Sequence, residues 1–428
     1  MLQHTPQGEL FPEALSQAIK EKFYWVDEDY TGTKRLFFEN AGGSFTLKQA
    51  EQDYVHMERI GDCPERTSKT ADYLNSVIDK GINDVRCMLN AKGGSVITML
   101  TASQVIYEMT RVAAENLPGK NIVTTALEHP SAYDSAKYYA EKTNREFRVA
   151  KTNPETGGVD VDEVVGLVDE DTCFLSVIYA SNISGSILDI EQIVAKARAK
   201  KPDLYIIVDA VQHVPHGLVD LQKTPVDAIN FAPYKFCGLR GLGVGWVSDR
   251  FASLPHHKLA AKPAGEWELG SPAPAQYAGV SAIVDHVCWI GEQFEKKNTR
   301  REAFALGMEK IAQHERALMQ HLLEGTPELP GLRHMDGVEV FLDYPDLSTR
   351  DFIVACAIKG LECAEAVEKY AEMDVTVYER VASSLYSKRM LDSFGLEGTL
   401  RISPFHCHTV EDVDQFLRIT AELIKKQK

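Results

Sequence analysis

Three observations predict an α/β protein, with a large domain built on a mostly parallel sheet flanked by helices and a smaller α+β domain at the carboxyl end. Between about residues 90 and 250, short apolar runs alternate with helical stretches, the pattern of βαβ units whose right-handed crossovers put helices on both faces of a sheet. Tyr205 to Val208 is a β-branched run with no polar alternation, which suits a strand buried on both faces. Beyond about residue 300 the regular alternation stops, and strands and helices follow one another without it. A chain of 428 residues is too long for one simple core, so separate units are expected. These are an amino-terminal segment over 1–44 packing with the small domain, the large domain over 45–295, and the small domain over 296–428.

Taken in order, Pro12 to Phe23 reads as a helix ahead of an aromatic-rich loop. In RLFFENAGGSF a short strand runs into Asn40, Ala41, Gly42 and Gly43, small residues that let backbone lie close to a ligand. Helices follow over Leu47 to Ile60 and Thr70 to Leu89, with Ser68 or Thr70 as cap. Val96 to Leu100 is a strand that meets Thr101, Ala102 and Ser103 at the start of a helix. Free N–H groups and the helix dipole make such a turn a cup for a phosphate. The strand NIVTTA leads to Glu128 and His129, and Phe174 to Ala180 leads to Asn182 and Gly185.

Tyr205 to Val208 ends at Asp209, and Ala228 to Ala232 ends in Pro233, Tyr234 and Lys235 before a glycine-rich exit. Several strands thus deliver polar residues to one carboxyl edge, which is where ligands bind in open α/β sheets. Further on, ELGSP belongs to a loop entering a long helix, and Thr299 to Leu323 is a second, amphipathic one. The small domain reads as a strand in GVEVFLDY, a helix over Ser348 to Lys359, strands in VTVYER and TLRISP, and a closing helix over Val410 to Ile424.

Composition narrows the partners. The net charge of -16 argues against nucleic acid and against anionic membrane, since both are polyanions. No apolar run approaches the length of a bilayer span, and MLQHTPQGELFPEAL has neither the basic nor the apolar region of a signal peptide, so a cytoplasmic location is expected. The eight cysteines contain no CxxC pair, which signals neither a metal site nor a disulfide framework.

An acid and an amine at neighbouring strand ends can face one pocket. Lysine forms imines once burial lowers its pKa, and a carboxylate beneath a pyridine ring keeps the ring nitrogen protonated. Asp209 with Lys235 therefore suits pyridoxal 5'-phosphate, with His129 able to lie on the ring or to act as acid or base.

The ordered set LEHPS, SNISG, VDAVQHVPH, a lysine before CGLRGLGVGWV, ELGSP and TLRISP resembles the class V aminotransferase family of fold-type I pyridoxal-phosphate enzymes, cysteine desulfurase-like proteins in particular, over roughly residues 35 to 425. The resemblance implies that Lys235 forms the internal aldimine and later moves the Cα proton. It implies that Asp209 pairs with the ring nitrogen, that His129 stacks on the ring, and that Asn182 and Gln212 approach its phenolic oxygen. Thr101, Ala102 and Ser103 would hold the phosphate, and Arg401 would clamp the substrate carboxylate beside Asn40, Ala41 and Gly42. Ser271 in ELGSP would reach the neighbouring subunit's phosphate, which implies a homodimer with shared sites.

Two departures bear on the chemistry. Tyr234 stands where the family often has histidine before the lysine; its hydroxyl can still donate to the phosphate. The region YERVASSLYSKRMLDSFGLEGTLR lacks the cysteine that desulfurases carry ahead of the arginine, and serine cannot replace a thiolate. Cys407, between His406 and His408, is the nearest substitute. The expected function is that of a pyridoxal-phosphate enzyme acting on a small amino acid through an external aldimine and a quinonoid, as an aminotransferase or a C–S or C–N lyase. The alternatives are a desulfurase using a non-standard cysteine, an epimerase, or a non-catalytic partner protein of the same fold.

Overall fold

The computed structural model describes residues 8–427; residues 1–7 of the segment expected over 1–44 lie outside the described residues. Seven strands form the large sheet: β1 (Ser95–Met99), β2 (Asn121–Thr125), β3 (Glu146–Ala150), β4 (Thr172–Ile178), β5 (Tyr205–Asp209), β6 (Ala228–Phe231) and β7 (Gly243–Val247). Their order across the sheet is β1-β7-β6-β5-β4-β2-β3. Both pairs made by β7 are antiparallel and every other pair is parallel. β2, β4, β6 and β7 are buried at every residue, since helices cover both faces of the sheet, and the buried set includes polar Asn121, Thr124, Thr125, Thr172, Ser176 and Asn230 among the apolar residues. The edge strand β3 carries Glu146 and Arg148 and is largely accessible. Charge on an edge blunts unwanted pairing and also hides the strand from a reading based on apolar runs.

Helices connect the parallel strands: Ala102–Asn116 after β1, Pro130–Lys142 after β2, Val161–Gly166 after β3 and Ile190–Lys200 after β4. Side chains of Thr101, His129 and Asp189 cap three of them. The Thr101 hydroxyl accepts from the Gln104 N–H at 3.1 Å, and Asp189 accepts from Gln192 N–H at 3.0 Å. Pro274–Glu292 is buried on nearly all sides by Lys48–Glu58, Lys69–Leu89 and Arg300–Glu324, so it is rich in Ala, Gly, Val and Ile and lacks a polar stripe.

The carboxyl-terminal region holds β8 (Val338–Phe341), β9 (Val354–Ile358), β10 (Tyr378–Val381) and β11 (Gly398–Ile402), all antiparallel in the order β10-β11-β9-β8. Leu36–Phe37 runs parallel to Val375–Thr376, and Leu36 and Phe38 join Leu400 and Ile402 in one apolar core.

The helix expected over Ser348 to Lys359 is not formed. A single 3-10 turn, Leu347–Thr349, precedes β9. The run FIVACAI is apolar throughout, and such a run fits a buried helix segment or a buried strand equally well; pairing with β11 and β8 on either side decides for the strand. Helices Cys363–Ala371 and Leu385–Phe394 add to the elements foreseen. Among the described residues no helix is long and apolar enough to cross a membrane.

Candidate active site

The carboxyl edge of the large sheet gathers the polar residues. Lys235 ends the 3-10 turn Pro233–Lys235 that follows β6, where proline presets the first backbone angle. The turn is braced from the amino-terminal segment. Ser44 donates through N–H and Oγ to the Tyr234 carbonyl at 3.1 and 3.2 Å, and its Oγ accepts from Cys237 N–H at 2.8 Å. The buried Lys235 Nζ donates to Gln212 Oε1 at 3.3 Å, which joins the ends of β5 and β6. Asp209, 2% exposed at the end of β5, accepts from the Val211 N–H at 3.1 Å.

Electrostatics suit this corner to imine chemistry. Loss of hydration, helped by the charge of Arg401 and opposed by Asp209, brings Lys235 down to about 7, so a large neutral fraction exists at neutral pH. Loss of hydration likewise pushes Asp209 up to about 6, with Val211 and Lys235 opposing. His129 caps Pro130–Lys142, its Nδ1 accepting from Ser131 N–H at 3.2 Å. Dehydration and then the positive charges of Lys235, Arg380, Arg389 and Arg401 bring it down to about 3, so its imidazole is neutral.

Glu128 does a different job. Its Oε1 accepts from Thr125 Oγ1 at 2.8 Å and from the Ile178 N–H at 2.7 Å, tying the end of β2 to the end of β4. Burial pushes this carboxyl up to about 8. Arg389, which the sequence reading passed over, donates to the carbonyls of Ala126 and Glu128 and lies over the Tyr133 ring, fixing the same corner.

The second wall is a face of the small sheet. Arg401 projects from β11, and its Nε and Nη2 grip both carboxylate oxygens of Glu39, with Nε–Oε2 at 3.2 Å. Its Nη1 donates to the Asn182 carbonyl at 3.0 Å. Arg401 thus stands beside Asn182, with its fork already held by a residue not singled out from sequence. Asn40 and Ala41 are buried next to it through Ser403: Asn40 Nδ2 donates to the Ser403 carbonyl at 3.1 Å, and Ala41 N–H to Ser403 Oγ at 3.1 Å. Gly42 faces the pair closely, for a Cβ there would lie 2.5 Å from Glu39 Oε1. Arg380 on β10 was also missed. Its signal was present, since VTVYER read as a strand and Arg380 ends it.

Some residues fall elsewhere. Ser271 is exposed and bonded to Glu65 of its own chain. Cys407 is 1% exposed, and burial holds its thiol well above the ordinary range. The flanking His406 and His408 are also dehydrated and held below their ordinary range, so they supply no charge to form a thiolate. The suggestion of Cys407 as a nucleophile is therefore corrected. A separate cavity of about 800 Å³ is lined by Tyr179, His213, His216, Glu315 and Asp351, with neither Lys235 nor Arg401 on its wall.

With this geometry in hand, the chain matches the class-V aminotransferase family over residues 46–416. The chain belongs to that family. Among curated relatives, a cysteine desulfurase of Serratia proteamaculans is 28% identical over 232 residues, 50% of this chain and 52% of the relative. A probable cysteine desulfurase of Borreliella burgdorferi is 24% identical over 435 residues, 95% of this chain and 96% of the relative. The strongest of these matches span only about half the length of the relatives concerned. The solved apo structure of a cysteine desulfurase from Thermococcus onnurineus shares the fold with a TM-score of 0.79 at 18% identity, covering 98% of this chain and 100% of that one. A cysteine desulfurase of Escherichia coli superposes with a TM-score of 0.78 at 17% identity over 98% of this chain and 100% of that one.

Pyridoxal phosphate is the cofactor of this family, and the residues present fit it. Gly243 in β7 passes so close under the Thr101-Ala102-Ser103 turn that a Cβ would lie 2.1 Å from the Thr101 carbonyl carbon. The Ala102 and Ser103 N–H groups above it, in the first turn of a helix, have no intrahelical acceptor. The buried Oδ1 of Asn182 has no partner among the described residues, and a buried amide so placed is a polar group awaiting a ligand.

Proposed function

We propose that this chain is a pyridoxal-phosphate enzyme acting on a small amino acid, as an aminotransferase or a C–S or C–N lyase. The observation that supports it most is the pair Lys235 and Asp209, buried at adjacent strand ends with the lysine brought down to about 7. The Thr101-Ala102-Ser103 turn would hold the phosphate, with Tyr234 and, from a second subunit, Ser271 as further donors. Asp209 would meet the ring nitrogen, His129 the ring face, and Asn182 and Gln212 the ring oxygen. When bound, the cofactor supplies an electrophilic carbon for the substrate amine and a ring that takes up the electron pair left by a bond broken at Cα.

The chain's own residues do the rest. Lys235 Nζ holds the Cα proton and returns it, the position of return deciding the product. Neutral His129 contributes a flat, uncharged surface that does not compete with Asp209 for the ring's positive charge. Arg401 and Arg380 supply the positive charge against which the substrate carboxylate docks. The amino-terminal segment over 1–44, a large domain over 45–295 and a small domain over 296–428 are the units of this reading, and a cytoplasmic homodimer is its assembly. The family's use of the ELGSP loop supports the dimer, and scattered free cysteines support the location.

Desulfuration is the second reading, favoured by the names of the relatives. The short connection after β10, Ala382, Ser383 and Ser384, offers hydroxyls and no thiol. Purified protein loaded with cofactor should show a visible imine band that shifts with amino acids, and Lys235→Ala should abolish it. An unchanged band in Lys235→Ala would overturn the assignment. Release of a keto acid with ammonia or sulfide identifies a lyase, reversible loss of the band on adding amino and keto acids a transaminase, and alanine with protein-bound sulfur a desulfurase.

A further inference from the structure

The Gly42-Gly43 stretch runs between two arginines. A Cβ on Gly42 would lie 3.3 Å from Arg401 Nη2, and one on Gly43 would lie 2.6 Å from Arg240 Nη2. Gly43 is extended, a conformation open to any residue, so the approach of the Arg240 guanidinium, not the backbone, is what glycine makes room for. Consecutive Cα atoms are about 3.8 Å apart, which keeps the two Nη2 atoms within about 13 Å of each other.

The arginines around the site differ in what they have left to give. Arg401 spends donors on Glu39 and on the Asn182 carbonyl. Arg389 is held by two carbonyls and the Tyr133 ring. Arg380, diagonal to Arg401 on the small sheet, has its Nε buried without an acceptor. Arg240, in the glycine-rich exit after Lys235, is exposed. Its guanidinium lies over the Tyr234 ring, 4.4 Å from the centroid, and no described residue accepts from it. Tyr234 immediately precedes the lysine, so this cation borders the same corner. A guanidinium resting on a ring is held by its face, and the N–H groups in its plane stay free for an anion.

We infer that Arg240 receives a second anionic group, the side-chain carboxylate of the substrate, so that the site takes dicarboxylic amino acids. This rests on the reading of the site as one that holds pyridoxal phosphate and an amino acid, with Arg401 as the clamp for the α-carboxylate. The gap between the two guanidiniums suits a short diacid that makes a charged hydrogen bond at each end.

The test uses cofactor-loaded protein and calorimetric titration with propionate, a monoacid, and with succinate and glutarate, at fixed ionic strength. Wild type should bind at least one of the diacids more tightly than propionate. Arg240→Gln should weaken that diacid about five- to ten-fold, the low end for a lost charged hydrogen-bonding partner because the arginine is exposed. It should leave propionate within about two-fold of wild type. Arg240→Lys keeps the charge without the fork and should recover part of the loss. Gly43→Ala keeps the charge and displaces the fork, and should weaken the diacid while sparing propionate. The visible imine band reports cofactor loading of each variant, and circular dichroism its folding. Diacids bound no more tightly than propionate by wild type, or diacid and propionate weakened alike in Arg240→Gln, overturn the inference while the band leaves the cofactor reading intact. A band lost from folded Arg240→Gln overturns it too, assigning the arginine to the cofactor. Absence of the band from wild type overturns both readings.

Discussion

The carboxyl rim of the large sheet and the inner face of the small sheet bring charge to the same place by different means. On the rim, each candidate side chain follows the end of a strand: Thr101 after β1, His129 after β2, Asn182 after β4, Asp209 at the end of β5, Lys235 after β6. On the face, Arg401 and Arg380 sit within strands, and what each can do depends on register and on Glu39 arriving from more than three hundred residues away in sequence. A rim is assembled by local rules, because strand ends, caps and turns are encoded over a few residues. A sheet face is assembled by pairing.

Several outcomes would sharpen or break that contrast. Asp209→Ala leaves the rim folded and removes a charge-assisted hydrogen bond worth about 1.5–3 kcal/mol, so turnover of the preferred amino acid should fall about a hundred-fold. Steady-state rates near wild type would move the chemistry off the rim.

Glu128 gives the next effect, through pH. Its carboxyl is pushed up from 4.5 to about 8 in the folded chain. The folded protein therefore holds a proton that the unfolded chain has released, and stability contributed by this group falls as pH rises from about 4.5 to 8 by at most about 1.4 kcal/mol per pH unit. Lys235, brought down to about 7 from 10.5, works in the opposite direction, adding stability as pH rises from 7 to 10.5. Thermal melting of cofactor-free Glu128→Gln should show less loss of Tm between pH 5 and 7 than wild type. Parallel profiles would mean that the carboxyl is ionised and the tie between β2 and β4 is of another kind.

On the face, Gly42→Ala places a methyl where Glu39 Oε1 lies, and the end of that side chain can swing away. With the Arg401 fork released, the monocarboxylate propionate should then bind the cofactor-loaded variant several-fold more tightly than wild type, as calorimetry would show; an unchanged affinity would separate Gly42 from the ion pair. The smallest effect belongs to a rim cap. Thr101→Ala loses the hydroxyl that accepts from Gln104 N–H and should cost about 1 kcal/mol by denaturant unfolding.

The same contrast accounts for what could be read in advance. Asp209, Lys235, Gln212, His129 and Asn182 were legible because apolar runs and glycines mark strand ends, and the family's ordered motifs lie there. β3 was missed because an edge strand with Glu146 and Arg148 has no apolar run. β9 was misread because FIVACAI carries no period, and its two sheet partners, not its own residues, select the extended form. Cys407 attracted notice for its neighbouring histidines; only the packing shows all three dehydrated and uncharged.

By itself the order of residues determined the α/β architecture, the strand ends at which Lys235, Asp209 and the Thr101-Ala102-Ser103 turn stand, and the absence of a thiol ahead of Arg401, since apolar runs, turns and helix starts are encoded over a few residues. Tertiary structure alone decided that Arg401 is held by Glu39, that Arg380 is left unpaired beside it, and that Lys235 is dry enough to lose its proton near neutrality. Those depend on which charges meet and how much water remains between them, and no segment of the chain carries that information alone.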